Sequence, residues 1–186
     1  MKKTLILLSC TLCLCGILFW IGRIYGVNSA YRDETLRYEA GESVDISGLE
    51  MKAVETHIYS IDEYRKRFNE EPVGILDPQY RMICVRMQVK NTGTEAAGWD
   101  KVGGVTAGGF ESVTWCSSAD PYSAQPLNIF RGKGLAAGAE QDVWCVTSLA
   151  RVCFGSKTWG SLEKEEFWYV PVLEPVKIMM KLELQE

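Results

Sequence analysis

Histidine is nearly absent: His57 is the single imidazole in 186 residues. That removes most His-based metal sites and leaves His57 as the one imidazole on which a His-dependent triad could be built. Positive charge is also short, with 20 Lys and Arg against 24 Asp and Glu for a formal net charge of −4. A chain without a basic excess is not built for a phosphate backbone, so nucleic acid is excluded as a partner. The glycine-dense stretch GWDKVGGVTAGGF (Gly98 to Phe110) is not followed by Gly-Lys-Ser/Thr and opens no recognisable helix, so it is no phosphate cradle. Glu163, Glu165 and Glu166 lack the D-x-D-x-D spacing of a calcium loop and read as a solvated turn. His57 and Glu55 share strand parity, but no nucleophile or third group accompanies them. The expectation is therefore no catalytic residue, no cofactor and no metal.

What is present has the balance of a folded chain: 47% hydrophobic, 11% aromatic and 24% charged residues. The length suits one domain with an accessory segment. That segment is the first thirty residues, which contain Lys2, Lys3 and Arg23 and no acid. Thr4 to Gly22, TLILLSCTLCLCGILFWIG, is 19 residues without a charge. As a helix it spans roughly 28 Å, close to the hydrocarbon thickness of a bilayer. Trp20 and Tyr25 fall at its far end, where amphipathic rings favour the interface, and the two early lysines place the N-terminus in the cytoplasm. The preferred reading is an uncleaved signal anchor over 1–30, transmembrane about 4–22. A cleaved signal cut before Ala30 and a lipoprotein at Cys10 are the alternatives. Removing the three early cations leaves 17 basic against 24 acidic residues, net −7, for the exported part. Residues 31–48 read as a polar juxtamembrane linker, and 49–186 as the exported domain.

Downstream of the linker, apolar residues alternate. MICVRMQVK (82–90) places Ile83, Val85, Met87 and Val89 on one face and Cys84, Arg86, Gln88 and Lys90 on the other. Asn91-Thr92-Gly93 then signals a turn. The stretch 176–185 repeats the alternation, and further strands are expected at about 49–59, 111–116, 126–131, 140–147 and 166–173. Pro171 and Pro175 demote the residues between them to an edge or bend. In SIDEYRKRF, Ile61, Tyr64 and Phe68 recur at helical spacing, with Ser60 or Asp62 as N-cap. About seven short strands and one short helix predict a mainly β chain, an Ig-like antiparallel β-sandwich, behind a single N-terminal transmembrane helix.

The strings CVRMQVKNTG, IDEYRKRF and FWYVPVLEPVKIMMKL resemble an uncharacterised group of membrane-anchored, Ig-like β-sandwich proteins of Gram-positive bacteria. The resemblance covers roughly Glu42 to Leu184. It implies a sandwich fold and an extracytoplasmic location, and brings no catalytic residues to carry over.

Four cysteines lie in the exported part: Cys84, Cys116, Cys145 and Cys153. An even number invites disulfides, and a hairpin about Leu149 would bring Cys145 and Cys153 together. Unpaired, apolar use of the same thiols is the alternative. Cys10, Cys13 and Cys15 sit in the apolar stretch and serve as small filler. The tryptophans at 99, 115, 144, 159 and 168 are expected in the core or on sheet surfaces. The glycine-dense stretch is expected to be a mobile loop displaying Trp99 and Asp100 for recognition. Together these features suggest a non-catalytic, membrane-anchored extracytoplasmic interaction module for a protein or glycan ligand. The alternative is an envelope transporter or secretion accessory acting through its membrane helix, where Gly16 and the cysteines allow close helix approach.

Overall fold

The computed structural model describes the backbone of residues 2–30, 34–75 and 77–185, and the side chains of 11, 13–27, 34–75 and 77–185. It divides into two units, 1–34 and 35–186. The first is a 29-residue helix, α1 (Lys2–Ala30). Among the described residues no helix is long and apolar enough to cross a membrane. The expected span 4–22 lies partly outside them, because the side chains of 4–10 and 12 are not described.

The second unit carries eleven strands among the described residues: β1 (Glu34–Tyr38), β2 (Ser43–Ile46), β3 (Leu49–Ser60), β4 (Arg81–Asn91), β5 (Ala97–Gly98), β6 (Gly109–Glu111), β7 (Cys116–Ser118), β8 (Gly134–Leu135), β9 (Glu140–Leu149), β10 (Phe167–Val172) and β11 (Val176–Leu182). One sheet has the order β2-β3-β4-β9, the other β1-β11-β10-β6-β7, and β5 pairs with β8. The inner faces bury Met51, Val85, Met87 and Val143 of the first sheet with Phe110, Phe167, Tyr169 and Met180 of the second, in one continuous apolar cluster. This is a β-sandwich. Its first sheet departs from the immunoglobulin order in one respect. The consecutive strands β2, β3 and β4 stay together as a meander, whereas immunoglobulin chains change sheets after two.

The alternation of MICVRMQVK is realised, because β4 is a central strand. Ile83, Val85, Met87 and Val89 are all fully buried towards the second sheet. The other face is not simply solvated. Met82 and Cys84 are buried beneath helix α2 (Ile61–Phe68), whose Ile61, Tyr64 and Phe68 pack on them with Val146 and Trp144. Ser60 starts this helix with a capping box: its Oγ accepts from the Glu63 amide, and the Glu63 carboxylate accepts from the Ser60 amide.

Three sequence expectations are corrected. The stretch 31–48 is not a linker throughout. Its β2 pairs with β3 through the two-residue turn Ser47-Gly48, both at positive φ (56° and 81°), the conformation a tight hairpin needs. The turn is pinned by Asp45, whose carboxylate accepts from the Gly48 amide and the Thr92 hydroxyl. The expected strand at 111–116 is the connection between β6 and β7, and the one at 126–131 is a 3-10 turn (Gln125–Leu127) followed by irregular chain. The residues between Pro171 and Pro175 do form a bend, the one that joins β10 to β11, while Pro171 itself lies in β10, between β11 and β6, at a register irregularity between Tyr169 and Val172.

Candidate functional site

The glycine-dense segment is a helix, not a mobile loop. Helix α3 (Trp99–Thr106) starts from Gly98, whose extended conformation serves as N-cap. Val102 is fully buried and anchors it to the core. At its far end the buried Tyr169 hydroxyl donates to the Val105 carbonyl and accepts from the Gly108 amide, and the Cys145 thiol donates to the Thr106 carbonyl. Trp99 is half-buried, donates from Nε1 to the Gly132 carbonyl at 3.2 Å, and packs on Phe130 with ring centres 4.8 Å apart. Asp100 is exposed on the first turn. The sequence-predicted pair is thus a helix start held against the domain, with Trp99 braced rather than displayed.

Cys145 and Cys153 are not brought together. β9 runs unbroken to Leu149 alongside β4, with Cys145 opposite Val85, and the segment after it is a single 3-10 turn, Arg151–Cys153. The proposed hairpin does not form, because the SLA sequence extends the strand instead of turning. Both thiols are free; Cys145 is buried and Cys153 exposed. Burial pushes the Cys145 thiol up to about 12, so it is inert at neutral pH. Cys84 is likewise buried and held protonated, while Cys116 is free and exposed.

His57 and Glu55 do meet, on the outward face of β3. The imidazole Nε2 lies 3.3 Å from Glu55, and Nδ1 lies 3.1 Å from the Gln185 carbonyl. Glu55 also receives Arg86 at 2.8 Å, and Arg86 in turn reaches Asp142 at 2.7 Å. These residues come from β3, β4 and β9 respectively, so the charges alternate across three adjacent strands. The arrangement cross-links the sheet surface. Among the described residues no group of three His, Cys, Asp or Glu is placed to hold a metal.

Two concave sites flank β9. One is an apolar groove of about 260 Å³ lined by Thr106, Ala107, Asp120, Phe130, Trp144 and Cys145. Of its lining residues Phe130 is 40% exposed. The other is a pair of adjoining clefts at the end of the first sheet, about 460 and 360 Å³, which share Gln79, Tyr80 and Arg151 as a common wall. The sheet register explains why this end collects basic and aromatic groups. Arg81 at the start of β4 lies opposite Leu149 at the end of β9 and opposite Ser60 at the end of β3. Arg151 follows two residues after Leu149, and the short helix Ser156–Trp159 brings Trp159 back against Arg81. The Arg81 guanidinium sits 5.1 Å from the Trp159 ring centre. No sequence motif marks this cleft; its residues are dispersed and converge only through strand register.

No family model matches the chain, and no curated protein matches it. Among solved structures it is similar to a conserved hypothetical protein from Bacillus anthracis, with 10% identity, a TM-score of 0.46, and coverage of 76% of this chain and 94% of that one. It is similar to an uncharacterised β-sandwich protein from Clostridium difficile 630 with 10% identity and a TM-score of 0.46, covering 82% and 98% of the two chains. It is also similar to the yjhA protein from Bacillus subtilis, with 10% identity and a TM-score of 0.40, over 80% and 99%. These are uncharacterised proteins of Gram-positive bacteria.

Proposed function

We propose that the chain is a non-catalytic binding module, held at the cell membrane by α1 with its sandwich domain outside the cytoplasm, and that the Tyr80 cleft receives its ligand. The observation that carries the anchoring is the surface of α1. Leu14, Ile17, Leu18, Phe19, Trp20, Ile21 and Ile24 are each more than half exposed, on successive positions that cover the helix all round. A helix apolar on every side is stable only where apolar surroundings cover it, and the uncharged run from Thr4 to Gly22 has the length of a bilayer core. Lys2 and Lys3 at its start favour a cytoplasmic N-terminus. The cleft volumes fall in the range of small-ligand sites, and its walls mix aromatic and charged groups as such sites do.

The native thiols supply the test. Cys116 and Cys153 are exposed, whereas Cys84 and Cys145 are buried. A membrane-impermeant maleimide added to intact cells after mild reduction should label the full chain at Cys116 and Cys153, and the labelled chain should stay with carbonate-washed membranes. Labelling that requires permeabilised cells, or release by the carbonate wash, overturns the reading.

A further inference from the structure

In the sandwich domain, three arginines carry a nearby carboxylate. Arg65 pairs with Asp62 and Glu71, Arg67 with Glu55, and Arg86 with Glu55 and Asp142. Among the described residues Arg37, Arg81, Arg131 and Arg151 form no ion pair, and of these four Arg81 and Arg151 line the same cleft. The carboxylate whose field Arg81 does reach, Glu63, is already engaged by the Ser60 hydroxyl and amide in the α2 cap. Asp77, which lines the larger cleft with Arg151, accepts from the Gln79 amide. Two guanidiniums on the wall of one cleft, neither ion-paired among the described residues, offer a joint site to an anionic group.

We infer that the cleft walled by Tyr80, Arg81 and Arg151 is a binding site for an acidic saccharide, whose carboxylate or phosphate is taken by the two guanidiniums while its ring lies against Tyr80. The inference rests on the binding-module reading and names the ligand class. Arg81 is pre-positioned: the Trp159 ring lies under its guanidinium and leaves its N–H fork available for two-pronged hydrogen bonding to a carboxylate or phosphate. Tyr80 is half-buried, packs against the α2 cluster and lines both clefts, so it is an aromatic wall common to them. The Gln79 side chain, beside it, supplies an amide for sugar hydroxyls. A ligand with an anionic group and a polar ring matches this lining better than a wholly apolar one.

The test uses the full chain in detergent micelles and isothermal titration calorimetry with four probes: oligogalacturonate, glucose 6-phosphate, a neutral maltooligosaccharide, and vesicles containing phosphatidylglycerol. Saturable binding of oligogalacturonate or glucose 6-phosphate is expected, and which of the two binds identifies the carboxylate or the phosphate as the recognised group. Arg151→Gln and Arg81→Gln should each weaken it at least tenfold. Arg131→Gln, an exposed arginine outside the cleft, should leave it unchanged. Arg151 is exposed, so its replacement does not threaten folding, and unchanged melting of that variant keeps the result interpretable. The inference is overturned if neither acidic probe saturates by about 10 mM, if the neutral saccharide binds as tightly, if both cleft variants bind like the parent, or if the vesicles alone bind. Thiol labelling on intact cells with no saccharide binding defeats this inference and leaves the binding-module reading standing; failed labelling defeats the reading.

Discussion

Cys84 and Cys145 show how a reactive side chain is made inert by position alone. Each sits in the middle of a strand, Cys84 under α2 and Cys145 in the inter-sheet core, and burial raises both thiols well above their ordinary range. The thiolate is the reacting species, so a thiol held protonated and out of solvent does not react. With Ellman's reagent, Cys116 and Cys153 should therefore react promptly in the folded protein, and Cys84 and Cys145 only on addition of denaturant. Prompt modification of all four would mean the strands do not hold these residues as described. The parity of MICVRMQVK already put Cys84 on the face opposite Val85. It did not reveal that this face is covered as well, because α2 returns over the sheet through contacts far apart in sequence.

At the scale of elements, β9 is the exposed edge of its sheet, and edges invite unwanted pairing. Here the edge is occupied by one side chain. The Asn128 amide donates to the Trp144 carbonyl at 2.9 Å and accepts from the Trp144 amide at 2.7 Å, imitating a neighbouring strand, and the Asp120 amide donates to the Val146 carbonyl beyond it. Asn128→Ala removes both of these bonds and a third, to the Ala124 carbonyl, and leaves two backbone groups of Trp144 without their side-chain partner. Urea unfolding should show a loss of about 1–3 kcal/mol, and light scattering should show a growing tendency to associate. A variant as stable and monodisperse as the parent would show that the amide is incidental. The strands on either side of this residue were legible, since β3, β4, β9, β10 and β11 alternate or carry dense apolar runs. The segments that were not legible share a physical cause. Helix α3 carries Gly103 and Gly104 in its middle and is held by Tyr169 and Cys145 rather than by its own propensity, and β2 depends on a Ser47-Gly48 turn whose signal is two residues long. The cleft was least visible, because Tyr80, Arg81, Arg151 and Trp159 have no common spacing.

Across the whole molecule, the carboxylates set the response to acid. The Thr92 hydroxyl and Gly48 amide hold Asp45 below its ordinary value; the Ser60 hydroxyl and amide do the same for Glu63, and Lys181 with the Trp168 indole for Glu166. In each case the folded state binds a proton less readily than the unfolded chain. Their contribution is complete above the unfolded values, 3.8 for Asp and 4.5 for Glu, and is lost as pH falls through the lower folded ones. The net negative charge works the other way at neutral pH, since mild acid relieves repulsion among 24 acidic residues before the structural carboxylates titrate. The melting temperature should accordingly hold or rise slightly from pH 7 to about 5 and then fall steeply below about 4.5. Asp45→Asn keeps an acceptor for the Gly48 amide but removes one titrating group, so its decline should be shallower than the parent's. A melting temperature that keeps rising to pH 3, or an Asp45→Asn curve parallel to the parent's, would mean that these capping and turn carboxylates are not coupled to folding.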